Sequence, residues 1–179
     1  QLVGEKILRI SRRSKYLIFY FKKKILLVHL GMSGILVLKR SYDSKLYKTS
    51  FYYDLKIKKK HNHIYFKLNN NIILIYNDVR RFGFFKLYNT KKINKIMFLN
   101  KLGLEPFSKK FNIKYFKNFI FNKKKNVKNL LMDQTFVSGL GNIYVNEALF
   151  LSKIHPLKKC SNLKRNSIKT LIRNIIKVL

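Results

Sequence analysis

The spacing of apolar residues changes once along this chain, and that change limits the fold to two unlike halves. In the first half the apolar residues alternate. Ile64, Phe66 and Leu68 take turns with Tyr65 and Lys67, the period of a half-buried strand. In the second half they recur at helical spacing. Ile168, Leu171, Ile172, Ile175, Ile176 and Leu179 fall at i, i+3, i+4, i+7, i+8 and i+11, an amphipathic helix. The expected class is α+β, an antiparallel β-sandwich over residues 1–89 followed by an all-helical domain over 90–179.

Other segments fill in this outline. Lys15–Phe21, Ile25–Leu30, Ile72–Tyr76 and Phe84–Tyr88 read as further strands. Asn69-Asn70-Asn71 reads as the turn between two of them, because Asn tolerates positive φ. Lys39–Lys60 is polar and basic and reads as a surface loop. In the second half Val127, Leu130, Leu131 and Gln134 predict a helix capped by Asn126. Asn142–Ile154 predicts another, ended by His155-Pro156. The boundary between the halves is expected near residues 89–108. The chain starts at Gln1 and stops inside a periodic helix without a cap, so a fragment at both ends is expected.

Charge and cysteine content narrow the classes of function. The net charge is +33, from 40 Lys and Arg against 7 Asp and Glu. So few acids argue against an acid-rich metal site and a paired-carboxylate hydrolase, and favour a polyanionic partner. Part of the charge reflects a bias toward residues with AT-rich codons, since Lys, Asn, Ile, Phe and Tyr are all abundant. Cys160 is the only cysteine, which leaves no disulfide framework and no cysteine zinc cluster. The longest apolar tract, Ile25–Leu38, is too short and too interrupted to span a bilayer, and no signal peptide is visible.

The scarce residues gather in a few segments. They are His29-Leu-Gly-Met-Ser-Gly34, His61-Asn-His63, Asp78-Val-Arg-Arg-Phe-Gly83, Leu102-Gly-Leu-Glu-Pro106 and Gly139-Leu-Gly-Asn-Ile-Tyr144. The glycines of the last permit a tight turn, and Asn142 opens a helix whose free N–H groups suit a phosphate. An ordinary capped helical hairpin is the plainer alternative. Arg80-Arg81-Phe82 suits insertion into stacked bases, with Phe82 as wedge and Arg80 reaching a base edge or phosphate. Met32 is a second candidate wedge. The plainer reading places both apolar side chains in the core. His61 and His63 lie among lysines and fit phosphate contact better than metal binding. His29 either does the same or is structural. Lys15 sits at the entry to an apolar strand, where a lysine is either solvated or has a lowered pKa suited to acid–base or Schiff-base chemistry.

Taken in order, these segments, with Arg-Arg-Ser-Lys-Tyr (12–16) and Val-Lys-Asn-Leu-Leu-Met-Asp-Gln (127–134), resemble the formamidopyrimidine-DNA glycosylase family of bacteria. The Arg-Arg-Phe-Gly and His-Leu-Gly-Met-Ser-Gly patterns separate it from the endonuclease VIII branch. The resemblance implies a β-sandwich joined to a helix–two-turns–helix domain, with lesion-containing double-stranded DNA as partner and the damaged nucleotide flipped out. It implies a glycosylase that removes oxidised purines (8-oxoguanine, formamidopyrimidines) and an AP lyase that cuts the strand through an imine.

Residue by residue, Lys15 resembles the family's proton-transfer lysine. Met32, Arg80 and Phe82 resemble the residues that fill the gap left by the flipped base. His61, Arg80 and a lysine near Lys123 match DNA-contact positions, Lys128 and Asn142 match phosphate-binding ones, and His29 is a further candidate DNA contact.

The family's nucleophile is an N-terminal proline followed by a glutamate, expected upstream of Gln1. Its cysteine-type zinc finger is expected beyond Leu179, so no cofactor or metal is expected within this chain. The piece alone is expected to be largely inactive. Asp78-Val-Arg departs from the family's usual Asp-Pro-Arg. A cytoplasmic, nucleoid-associated monomer without membrane contact follows from the resemblance. The alternatives are a non-catalytic DNA-binding remnant of a decayed gene and a basic RNA-associated protein.

Overall fold

The structure is a computed structural model, and it describes residues 2–40, 46–49, 57–91, 96–121 and 123–179. It divides into two compact units. One holds residues up to Ser11 together with Tyr16–Thr90, and the other holds Arg12–Lys15 together with Lys91–Leu179.

The first unit carries two four-stranded sheets. One has the order β1 (Arg9–Arg13), β2 (Tyr16–Tyr20), β3 (Lys24–His29), β8 (Phe84–Asn89). The other has the order β5 (Leu46–Lys48), β4 (Ile35–Arg40), β7 (Ile72–Asn77), β6 (Asn62–Leu68). Pairing is antiparallel, with Leu26 opposite Phe19 and Leu87, and Val37 opposite Ile75. Phe19, Phe21, Leu26 and Val28 from one sheet and Leu36 and Tyr76 from the other share one apolar core. The Tyr76 and Phe85 rings meet edge to face at 4.8 Å, which joins β7 to β8 across that core. The Asn69–Asn71 turn forms as expected. Asn70 and Asn71 take φ of 58° and 55°, the two left-handed residues of a type I′ hairpin turn.

Three strands escape the sequence pattern. The tract Ile25–Leu38 contains the expected strand β3, then a glycine-bearing turn and β4, and the continuous apolar run conceals β4. β1 is mostly polar. Within the expected Lys39–Lys60 loop, β5 pairs with β4 through Tyr47 and Lys48. Residues 41–45 and 50–56 of that loop lie outside the described residues, as do Gln1 and residues 92–95 of the expected boundary.

The second unit contains α1 (Met97–Asn100), α2 (Ile113–Ile120), α3 (Val127–Met132), α4 (Asn142–Leu151) and α5 (Arg165–Val178). Phe116, Leu130, Leu131, Phe136, Leu140, Val145, Ile168, Leu171 and Ile175 close its core without solvent exposure. Asn126 caps α3 as expected, accepting the Asn129 N–H at 2.8 Å, and Asn112 caps α2 in the same way.

Two helix ends differ from the expectation. α3 stops at Met132, so Gln134 belongs to the following turn. α4 stops at Leu151 rather than Ile154. Lys153 adopts φ of 53°, its N–H bonds Phe150 O, and the Ile154 N–H reaches back to Leu149 O. That pairing closes the helix before the proline can, and buried Ile154 seals it. A glycine in place of Lys153 relieves the left-handed strain. Lys153→Gly is therefore expected to stabilise the helical unit by about 1 kcal/mol, read from the urea midpoint.

Candidate nucleic-acid interface

A carboxylate with no solvent exposure organises one end of the β-rich unit. Asp78 follows β7 directly, and its side chain is fully buried. Oδ1 accepts the Ser33 hydroxyl and the Arg80 N–H at 3.1 Å. Oδ2 accepts the Tyr76 hydroxyl at 2.6 Å and the Gly83 N–H at 3.1 Å. Its own N–H donates to His61 O, and His63 Nε2 donates to its carbonyl at 2.7 Å. Burial alone would raise this carboxyl. The bonds from Ser33, Tyr76, Gly83 and Arg80 outweigh it and hold the pKa at about 2. Burial and the negative charge of Asp78 push the Tyr76 hydroxyl well up.

This hub ties the turn after β3 to the loop before β8. The two backbones approach closely. A Cβ on Gly31, which has φ of 72°, would stand 2.7 Å from Gly83 N and from the Phe82 carbonyl carbon. A Cβ on Gly83 would strike the Tyr76 hydroxyl at 1.9 Å. Only glycines allow that approach. Pinned in this way, the loops raise Met32, Arg80 and Phe82 as one exposed group. Met32 is 76% exposed and Phe82 55%, which settles the choice between core and surface. Arg80 joins them, with its guanidinium carbon 4.5 Å from the Phe82 ring centre and Nη1 3.5 Å from Met32 Sδ. A cation flanked by two apolar side chains is suited to entering a base stack.

The histidines divide. His29 Nδ1 accepts the Gly31 N–H at 3.1 Å, and its ring stacks on Phe84 at 5.7 Å. Within this unit His29 shapes the turn that carries Met32. His61 closes a short 3-10 turn over Lys59–His61, while His63 grips Asp78. No group of three His, Cys, Asp or Glu among the described residues is placed to hold a metal.

In the helical unit Arg13 and Glu105 form a second knot. Arg13 Nη1 donates to Glu105 Oε1 and to Ser138 Oγ, and Nη2 reaches the Gly103 carbonyl at 2.6 Å. Ser14, at φ of 56°, donates its N–H to the same Glu105 oxygen at 2.6 Å. Burial opposes the Glu105 charge, but the bonds from Arg13 and Ser14 and the charges of Arg13 and Arg12 hold its pKa below the usual range. Next to this knot Lys15 donates from Nζ to Leu140 O at 3.1 Å. The residue is exposed as a whole, yet desolvation around its amine lowers its pKa.

Gln134 donates to the same carbonyl and accepts the Gly139 N–H, so it braces the turn from α3 to α4. Asn142 is the exposed first residue of α4, and Gly141 is its cap without a side-chain bond. The structure thus brings Lys15 to the turn that leads into Asn142. Lys123 lies 3.4 Å over the Phe119 ring, and Lys128 sits half-buried on α3. The scaffolding roles of Asp78, Arg13, Glu105, Ser138 and Gln134 were not visible in sequence. The available signal was that two of the seven acids, Asp78 and Glu105, fall inside the scarce-residue segments.

Comparison with known proteins gives a consistent answer. The model of the formamidopyrimidine-DNA glycosylase N-terminal domain matches residues 1–85, and that of the formamidopyrimidine-DNA glycosylase H2TH domain matches residues 102–179. The chain is 43% identical over 180 residues to the formamidopyrimidine-DNA glycosylase of Rickettsia bellii, covering all of this chain and 61% of that protein. It is 42% identical to that of Bartonella tribocorum, covering 98% of this chain and 64% of that protein. Among solved structures it resembles the Lactococcus lactis Fpg in complex with DNA containing an abasic site. The TM-score is 0.84 at 37% identity, over 99% of this chain and 60% of that one. The chain thus spans less than two thirds of the length of these relatives.

The Asp78 hub has a pH signature. An unfolded aspartate titrates near 3.8 and the folded one near 2, so its contribution is full above pH ~4 and is lost as pH falls through ~2. Asp78→Asn is expected to remove about 2 kcal/mol at neutral pH and to flatten stability across that acid window. Urea unfolding followed by tyrosine fluorescence at several pH values measures both.

Proposed function

The chain belongs to the formamidopyrimidine-DNA glycosylase family, and from that membership we propose that the protein excises oxidised purines from double-stranded DNA and cleaves the resulting abasic site. The observation that supports this reading most is the exposed Met32–Arg80–Phe82 group, fixed on two loops by Asp78. Such a group can replace an extruded base: Phe82 and Met32 fill the stack and Arg80 meets the orphaned partner. Asn142 at the start of α4, with Lys123, Lys128 and His61, supplies phosphate contacts, and His29 supports the Met32 turn. Lys15, with its lowered pKa, exchanges protons near the reacting sugar.

The family chemistry uses an N-terminal proline amine that attacks C1′ of the nucleotide, releases the base and leaves an imine for elimination. We assign the sandwich domain to residues 1–89 and the helix–two-turns–helix domain to 90–179. Buried Cys160 and the scattered histidines do not fit the family's zinc, so a finger of that kind would draw its ligands from other residues. We place the protein in the cytoplasm, at the nucleoid, as a monomer. No helix among the described residues is long and apolar enough to cross a membrane.

Two measurements test this. Borohydride trapping of the whole protein on 8-oxoguanine DNA should give a covalent adduct, and its absence sinks the catalytic claim. Phe82→Ala with Met32→Ala should weaken binding to an abasic duplex about tenfold and leave undamaged DNA nearly unaffected. Equal binding before and after would move the RNA-associated reading ahead.

A further inference from the structure

α5 carries a charge pattern that the lesion site does not use. Arg165, Lys169, Arg173 and Lys177 repeat at i, i+4, i+8 and i+12, and all four are exposed. At 100° per residue they fall within an arc of about 120°, spaced by about 6 Å along the axis. Ile168, Leu171, Asn174 and Ile175, the buried residues, centre on the opposite side. That buried face packs against α4 and α2, so the cations point away from both. None of the four ion pairs found among the described residues involves them.

Compositional bias does not explain this arrangement well. The sequence has only 8 arginines, and two of them stand in this row. No acid follows Glu147 anywhere in the chain. Like charges at i, i+4 repel, and Arg165 sits in the first turn, against the helix dipole. The row therefore weakens the isolated helix and gains its compensation only when an anion is present.

We propose that the outer face of α5 binds the phosphate backbone of a second segment of duplex DNA, independently of any lesion. This deepens the reading of the protein as a DNA enzyme and rests on it for the choice of partner. The spacing lets each cation meet a separate phosphate, and no side chain in the row is placed to read bases. An anionic membrane fits less well. Ile168, Leu171 and Ile175 have no exposure, and Ile176 and Leu179, each 41% exposed, leave too little apolar surface to enter lipid. The consequence is a protein able to hold one stretch of DNA while another is examined.

The test replaces Arg165, Lys169, Arg173 and Lys177 together by Gln, which keeps helix propensity, with circular dichroism to verify folding. A control replaces Lys22, Lys23, Lys109 and Lys110 by Gln, four exposed cations elsewhere. Each protein receives one equivalent of a short abasic duplex and is then titrated with a labelled undamaged duplex across a salt series. The unaltered chain should take up the second duplex. The α5 variant should lose about tenfold in that step, with the slope of log K against log salt falling by about three. Its preference for abasic over undamaged DNA should not change.

Equal losses in variant and control, or no loss in either, overturn the proposal. So does binding to phosphatidylserine vesicles that the α5 variant loses while its DNA titration is unchanged. If the unaltered chain shows no preference for abasic DNA, the repair reading fails, and titration with undamaged duplex alone still reports on α5.

Discussion

A buried aspartate holds the exposed end of the β-rich unit in shape. Asp78 bonds β7, the turn after β3 and the loop before β8 together. A charge without solvent is tolerable only when every lone pair is engaged, and here two side-chain hydroxyls and two backbone N–H groups engage them. The same bonds fix the backbone on either side of Arg80 and Phe82. The position of an exposed aromatic thus depends on a carboxylate it does not touch. Tyr76 carries the constraint inward, because its ring belongs to the core and its hydroxyl to Asp78.

The helical unit uses the same device. Glu105 collects the Arg13 guanidinium and the Ser14 N–H, and the Arg13 fork continues to Ser138 and the carbonyls of Leu102 and Gly103. This knot sets the short segment from which Lys15 reaches Leu140 O. In a chain with so few acids, two of them act as fixed anchors for loops that carry cations. The excess positive charge and the scarcity of acid then have different origins. Many lysines are solvated and interchangeable, whereas the acids at 78 and 105 are structural.

Legibility followed physical scale. The Asn69–Asn71 turn and the Asn126 cap could be read directly, because each rests on contacts within a few residues. The end of α4 could not. Lys153 takes a conformation usual for glycine, and the reason is the burial of Ile154 in a core built from distant parts of the chain. β4 was hidden in the apolar tract that begins with β3, because a strand buried on both faces loses its alternation. The site showed the same split. Met32, Arg80 and Phe82 were nameable from motif segments, but for Met32 and Phe82 the plainer reading was burial in the core.

The sequence by itself determined the class of fold, the single change of periodicity that separates its halves, and the cluster of unusual segments that leads to the family. Local propensity and spacing suffice for these, since they depend on neighbours in the chain. Only the tertiary structure decided that Met32 and Phe82 stand in solvent with Arg80 between them. It alone decided that His29 and His63 serve the loops and that four cations line one side of α5 opposite its core. Those facts arise from contacts between residues far apart in sequence, where burial, charge and backbone approach are set by packing.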